Sequence, residues 1–339
     1  MAGGFIKEVL EKDDASFDAS LRPAVLRDFV GQEKLKERLQ LLIDAASQRK
    51  EPLNHLLFVG PPGLGKTTLS YILGKAMDAN VKSTSGPALQ KAGDLASLLT
   101  NLQDGDLLFI DEIHRIPKPV EEYLYSAMED FLIDIIIDQG PNARSVRLNL
   151  PRFTLVGATT RLGLLSAPFR SRFGIPLRLD YYPAADLQKI ITRSARVLNV
   201  GIDEQGGFEI ARRSRGTPRV ANVLLKEIRD HAQLKNNNMI DGACANKALR
   251  DLDIDEDGLE EMDKRILDTI IQKFGGGPVG ISSLAVAVGE EPDNLKEAYE
   301  PFLIQQGYLH RTPQGRTVTE RAYLKFGLPQ PPKAQASLF

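Results

Sequence analysis

The stretch His55-Leu-Leu-Phe-Val-Gly-Pro-Pro-Gly-Leu-Gly-Lys-Thr-Thr68 decides the reading of this chain. It joins a short apolar run, His55 to Val59, to a glycine-rich loop and then to a helical pattern from Leu69 to Met77. A strand, such a loop and a helix in that order make a phosphate-binding loop. Its glycines let successive backbone N–H groups turn inward around phosphate oxygens, at the positive end of the following helix. Lys66 adds a full positive charge, and the Thr67 hydroxyl can occupy one position on Mg²⁺. A plain glycine-rich turn with a surface lysine would require both flanks to be accidents. The expected ligand is a nucleoside triphosphate.

Hydrolysis depends on a second segment. Leu107-Leu-Phe-Ile110 is continuously apolar, as a strand buried on both faces of a parallel sheet requires. It runs into Asp111-Glu-Ile-His114. A carboxylate at Asp111, at the carboxyl end of such a strand, can hold Mg²⁺ directly or through water. Glu112 can orient an attacking water or accept its proton. His114 reads as a hydrogen-bonded structural residue, not a metal ligand.

Composition narrows the alternatives. A chain of 339 residues is long for one core, so two or three domains are expected. A net charge of −2 offers no global attraction to nucleic acid, so any such binding must come from a local patch. Cys244 is the single cysteine, and no metal-spaced Cys/His cluster exists, so neither disulfides nor zinc are expected. Met1 to Asp14 lacks the apolar core of a signal peptide, and no apolar run approaches bilayer length. A soluble, cytoplasmic protein without membrane contact is expected.

Apolar runs at 55–59, 107–110, 153–158 and 175–179 alternate with helical patterns, including Val120, Leu124, Met128 and Phe131. The fold class is therefore α/β, with a mostly parallel sheet across residues 1–182. Residues 183–253 read as a small helical bundle, broken at Gly216-Thr-Pro218. Residues 254–339 begin with helices and continue into two β-rich arms around Thr312-Pro-Gln-Gly315, the pattern of a winged helix. From about residue 329 a disordered tail is expected. An insertion near 132–150 reads as a hairpin turning at Gly140-Pro-Asn142. Its arms lack clean alternation, so Ile135, Ile137, Val146 and Leu148 are expected to be partly exposed, either as a protein contact or packed back on their own domain.

Three further segments complete the pattern. Gly157-Ala-Thr-Thr-Arg161 closes a β-run, and Thr160 is its preferred hydroxyl for the γ-phosphate or the attacking water. Ala167-Pro-Phe-Arg-Ser-Arg-Phe173 carries Arg170 and Arg172, either of which can reach a neighbouring subunit's nucleotide or form surface ion pairs. Arg219, in Gly216-Thr-Pro-Arg219, opens a helix from which it can reach the phosphates.

Taken in order, these motifs resemble the AAA+ ATPases, and within them the RuvB family of bacterial Holliday-junction branch-migration motors. Thr84-Ser-Gly-Pro87, Lys91-Ala-Gly-Asp94 and Gly140-Pro-Asn-Ala-Arg144 extend the likeness from Leu21 to Gly327. The resemblance implies an AAA+ P-loop ATPase domain with helices on both faces of its sheet, a helical lid and a C-terminal winged-helix head. It implies ATP and ADP as ligands, with Mg²⁺. Leu21, Arg22 and Tyr182 would enclose the adenosine; Gly63, Lys66, Thr67 and Thr68 would hold the phosphates. Glu129, Asp130 and Phe131 would line a nucleotide site, their own or a neighbour's. Thr160 and Arg219 match the two phosphate sensors, and Arg172, with Arg170 beside it, the finger acting in trans. The implied assembly is a homohexamer on the duplex arms of a Holliday junction, docked on RuvA through the hairpin, with RuvC as a further partner.

Charge alone would not have placed DNA on the last domain, where residues 256–339 hold nine Lys/Arg against twelve Asp/Glu. The wing differs, with Arg311, Arg316, Arg321 and Lys325 opposed only by Glu320. The resemblance places DNA-backbone contacts at Arg311 and Arg316. A motor that slides must touch phosphates, not base edges. Two other functions compete: a protein remodeller, which needs an aromatic pore loop not seen between Gly74 and Leu107, and a nucleotide-switched DNA-binding regulator.

Overall fold

A computed structural model of the chain describes residues 20–136 and 145–329. Within them lie two compact units, one running to Ile190 and including Thr217–Arg219, the other holding Ile191–Gly216 and the residues from Val220 onward. The expectations for Met1 to Asp14, Ile137, Gly140 to Arg144 and the tail beyond residue 329 fall outside the described residues.

The first unit is a doubly covered parallel sheet. Its elements are α1 (Glu33–Arg49), β1 (Leu56–Val59), α2 (Lys66–Ala76), β2 (Val81–Ser85), α3 (Ala92–Thr100), β3 (Leu107–Asp111) and α4 (Lys118–Glu129). There follow a hairpin, β4 (Leu132–Ile136) and β5 (Ser145–Asn149), then β6 (Thr154–Thr159), α5 (Ala167–Arg172) and β7 (Leu177–Arg178). Strand order is β2-β3-β6-β1-β7, with every neighbouring pair parallel. The strand preceding the glycine-rich loop is thus flanked by β6 and β7.

Alternation along the strands divides the core. Leu57, Val59, Leu108, Ile110 and Leu155 pack with Leu95 and Leu99 of α3 and Val120, Leu124 and Met128 of α4. Phe58, Phe109 and Val156 point to the other face and are equally buried. Apolar positions on both faces explain why these strands read as continuous runs and not as alternating ones. β2 is different, and the apolar-run reading missed it. Its sequence, Val-Lys-Ser-Thr-Ser, belongs to a sheet edge where no position is fully buried.

The helical pattern proposed to run through Phe131 ends sooner. α4 stops at Glu129, and Phe131 takes a left-handed conformation, φ +54°, that turns the chain into the hairpin. β4 and β5 pair antiparallel with Ile135 opposite Val146. Ile133 is fully buried and Leu148 packs against the main core, whereas Val146 is exposed. The expectation of a partly exposed apolar hairpin therefore holds for Val146, which is exposed, and for Leu148, which is half-buried with one side against the core of its own domain.

The second unit has a helical part and a winged helix. The former comprises α6 (Ala184–Val197, shared with the first unit), α7 (Glu204–Arg213), α8 (Pro218–Lys235) and α9 (Gly242–Asp251), with β8 (Gly201–Ile202) parallel to β9 (Met239–Ile240). Asp203 and Asp241 cap α7 and α9 by accepting from Gly206 N and Cys244 N. The winged helix comprises α10 (Glu261–Phe274), α11 (Ile281–Val288), α12 (Pro292–Asn294), which a π-helical turn joins to α13 (Glu300–Gln305), then β10 (Leu309–Thr312), β11 (Gly315–Val318) and α14 (Glu320–Lys325). Ile266, Leu267 and Ile270 of α10 form its core with Leu284, Tyr299, Leu303, Leu309 and Tyr323. Between the two parts Arg215 is buried, its guanidinium against Asp263 and 4.5 Å above the Phe302 ring. Among the described residues, no helix is long and apolar enough to cross a membrane.

Candidate functional site

The glycine-rich loop leaves β1 at Gly60, whose N–H donates to Thr159 O of β6 at 3.1 Å. Gly63 (φ +78°) and Gly65 (φ +98°) adopt left-handed conformations that a side chain would strain. A Cβ on Gly63 would also lie 3.0 Å from Arg219 Cβ. Glycine at both positions lets the backbone make this turn without a side chain in the way. Lys66, at the start of α2, is only 6 % exposed. Its ammonium donates to Gly60 O at 2.8 Å and Pro61 O at 2.7 Å. Burial pulls its pKa down to about 8, against the opposing fields of Asp111 and Glu112. A buried ammonium beside two carboxylates, on an amide-lined loop, suits a polyphosphate carrying Mg²⁺.

Asp111 ends β3, and its Oδ1 accepts the Glu112 N–H at 2.8 Å. Glu112 sits in a left-handed turn (φ +46°), backed by Gly86, where any Cβ would lie 2.3 Å from Glu112 O. That turn carries the Glu112 carboxylate out of the strand and into a 3.0 Å ion pair with Arg115. His114 lies in the same turn. Its Nδ1 is 3.0 Å from Thr159 Oγ1, and desolvation above all holds its pKa below the ordinary imidazole value. As read from the sequence, it is hydrogen-bonded; the partner was not legible. Thr160 follows β6 directly and is exposed, so of the two threonines it is the one free to face a ligand. No group of three or more His, Cys, Asp or Glu able to hold a metal exists among the described residues.

The remaining nucleotide residues gather from distant segments. Tyr182 is buried, its hydroxyl 3.3 Å from Leu64 O and its ring against Gly31; burial raises its pKa. Leu21 is buried, and the Arg22 guanidinium stacks on Tyr71 of α2 at 5.4 Å. Thr67 and Thr68 are half-buried in the first turn of α2. Arg219, which belongs to the first unit, donates its N–H to Gly63 O at 3.3 Å.

Arg172 lies elsewhere. It projects from α5 onto α4, where Nη2 is 3.0 Å from Glu129 Oε2, Nη1 donates to Pro168 O, and Cζ is 4.3 Å from the Tyr125 ring centre. The Tyr125 hydroxyl donates to Glu121 at 2.6 Å and meets Ser166, the N-cap of α5, at 3.0 Å. Nothing in the sequence pattern pointed to this bracket, except that Ser166 before Ala-Pro168 is a helix-start signal. Arg170 is exposed. Glu129 and Asp130 are exposed too, but the Phe131 ring packs inward between His55 and Phe153. Its half-buried side chain packs against the core beside these rings.

Three family models tile the chain: the Holliday junction DNA helicase RuvB P-loop domain over residues 21–179, the RuvB AAA lid domain over 182–255 and the RuvB C-terminal winged helix domain over 256–327. The Holliday junction branch migration complex subunit RuvB of Protochlamydia amoebophila is 59% identical over 323 residues, 95% of this chain and 97% of that protein. The chain belongs to the RuvB family. The same subunit of Salinibacter ruber is 57% identical over 96% of this chain and 95% of its own length. Among solved structures, the Thermotoga maritima RuvB Holliday junction branch migration motor aligns with TM-score 0.84 and 49% identity, over 92% of this chain and all of that one.

In the wing of this RuvB-family chain the two candidate arginines sit in different surroundings. β10 and β11 pair with Arg311 opposite Arg316, and Val279 bridges to Arg316 on the outer side. Arg311 is exposed. Arg316 is 7 % exposed and forms a bidentate pair with Glu300 of α13. Its guanidinium is held inside the head by that pair. Arg321 stacks on Tyr308, and Lys325 pairs with Asp255 and Asp257, so the wing's cationic run is largely neutralised. Of the facing pair Arg311 and Arg316, Arg311 is the exposed one.

Proposed function

We propose that this RuvB-family chain hydrolyses ATP at the loop formed by Gly60–Thr68 and uses the energy to pull duplex DNA. As a RuvB-family ATPase, it is a Holliday junction branch-migration motor. The observation that carries the residue assignment is Lys66: a buried ammonium, in the field of both Asp111 and Glu112, on an amide-lined loop.

Gly63, Lys66, Thr67 and Thr68 bind the phosphates, while Leu21, Arg22 and Tyr182 border the nucleoside. Mg²⁺, held by the Thr67 hydroxyl and the Asp111 carboxylate, would neutralise charge on the β- and γ-phosphates. Glu112 orients the attacking water and takes its proton. Thr160 and Arg219 meet the γ-phosphate from the β6 and α8 sides. Arg172, with exposed Arg170 beside it, completes the site of a neighbouring copy in a homohexamer, where a guanidinium neutralises charge developing in transfer. Glu129 and Asp130 lie on that same boundary. The division at 1–182, 183–253 and 254–339 separates motor, lid and DNA-contacting head.

RuvA docks on the hairpin segment, with Val146, which is exposed, and Leu148, Ile135 and Ile137 as the candidate apolar residues of its sequence; RuvC is a further partner of the junction complex. Arg311 touches the phosphates of the duplex arms, and the chain works in the cytoplasm. The test is fluorescence-monitored migration of a synthetic four-way junction with and without RuvA. Lys66→Ala is expected to remove ATP binding or turnover and junction movement together. ATP-independent movement, or no movement by the unsubstituted chain with RuvA present, would refute the reading.

A further inference from the structure

His114, unlike Asp111 and Glu112 in the same segment, has no role in the reading above, and its surroundings give it one. β3 and β6 are neighbours, with Ile110 opposite Gly157. The turn after β3 is wedged between glycines on two sides. A Cβ on Gly157 would fall 2.8 Å from Ile113 Cδ1, and one on Gly86 would fall 2.3 Å from Glu112 O. Close packing there leaves the turn little room to shift. From this fixed turn the His114 ring reaches across to Thr159, the last residue of β6.

Thr159 is fully buried and joins three pieces of the site. Its carbonyl accepts the Gly60 N–H at the head of the phosphate loop, at 3.1 Å. Its hydroxyl oxygen accepts the Arg161 N–H at 3.0 Å and lies 3.0 Å from His114 Nδ1. A hydroxyl has one proton to give. Oγ1 also has two lone pairs, so while accepting from Arg161 it shares one further hydrogen bond with Nδ1, in the direction set by the ring tautomer. The Thr159–Arg161 bond spans Thr160, closing a short side-chain turn that limits where the Thr160 side chain can point.

We propose that His114 is a positioning residue: through Thr159 it locks the Glu112 turn to the Thr160 turn, so that the group serving the attacking water and the hydroxyl facing the γ-phosphate keep a fixed separation. This rests on the roles given above to Glu112 and Thr160. Neither His114 nor Thr159 touches substrate; both act through their neighbours, and the requirement is for nitrogen at one end and hydroxyl at the other.

The experiment uses the full chain, with steady-state ATP turnover and titration of a fluorescent ATP analogue. His114→Ala and Thr159→Val are each expected to bind the analogue within about twofold of the parent and to keep KM, while kcat falls on the order of 10- to 100-fold. Because one bond is removed twice, the double variant should be no slower than the slower single variant. Thr159→Ser, which keeps the hydroxyl, should recover most of kcat. His114→Ala turning over at the parental rate, while Glu112→Gln has lost turnover, would overturn the proposal and leave the assigned function intact. So would a double variant whose loss is the product of the two single losses, or a His114→Ala defect confined to lower unfolding temperature. If Thr159→Val does not fold, His114→Ala and Thr159→Ser decide the outcome. Full turnover by Glu112→Gln would instead refute the Glu112 assignment, and this inference with it.

Discussion

Arg316 and Glu300 close a buried ion pair inside the winged helix, with Nη2 3.2 Å from Oε2 and side-chain exposures of 8% and 5%. Arg311 stands directly opposite Arg316 across the hairpin. Two like charges facing each other on a ladder repel. Glu300 neutralises one of them, which leaves the exposed Arg311 as the wing's outward charge.

Replacing Arg316 by Ala would strand the Glu300 carboxylate without its partner in the head's interior. Unfolding is expected to cost about 3–5 kcal/mol less than in the parent, since removing one member of a buried pair leaves the other uncompensated. Thermal or urea unfolding measures this. A parental unfolding midpoint combined with lost DNA affinity would restore Arg316 to the DNA surface.

Arg311→Ala should behave in the opposite way. Its unfolding midpoint should match the parent, while affinity for unrelated duplex sequences falls by similar factors. Removing one phosphate contact lowers the slope of log affinity against log salt by about 1. Anisotropy titrations at several salt concentrations measure it; a loss confined to one sequence would favour the DNA-binding regulator.

Arg172 is held in its own chain by Glu129 and Tyr125, with Nη2 3.0 Å from the carboxylate. As a finger acting in trans, Arg172→Ala should be inactive alone, with turnover lower by about 10³-fold or more. Mixed with Glu112→Gln subunits, themselves inactive, it should regain turnover, because intact Glu112 and intact Arg172 then meet at some boundaries. Absence of any recovery on mixing, across all ratios, would argue against a shared site.

His55 bridges β6 and the end of α4: Leu155 N donates to Nδ1 at 2.9 Å, and Nε2 lies 3.0 Å from Met128 O. Burial lowers its pKa below the ordinary 6.5, against the Met128 bond. The folded chain therefore binds fewer protons here than the unfolded chain once pH drops below that value. The neutral ring contributes stability that is complete above about pH 6.5 and declines as pH falls toward the folded pKa, at no more than about 1.4 kcal/mol per pH unit. His55→Gln should show a shallower loss of unfolding temperature between pH 7 and pH 5 than the parent. Parallel curves would remove His55 from the titration.

Much of the nucleotide site was legible because its signals are local. Gly63 and Gly65 are required by positive φ, Lys66 and Thr67 open the helix that follows, and Asp111 ends an apolar strand. β2 escaped notice because an edge strand buries little and so carries polar residues. That the Phe131 ring would meet Phe153 across a long stretch of chain was not legible either. The hairpin was legible as a hairpin, but not that along one arm Val146 would be exposed while Leu148 is half-buried against the core.

Backbone preference and apolar periodicity act within a few residues, so the order of letters was enough for the phosphate loop, the acidic strand end, the helical stretch after Pro183 and the wing. Pairing partners are another matter. Arg316 meets a carboxylate 16 positions away, Arg172 one 43 away, and His114 a hydroxyl 45 away. An arginine is written identically whether water or a buried glutamate surrounds it. The cost of removing its charge from solvent is set by what the folded chain brings alongside, and only the assembled elements decide that.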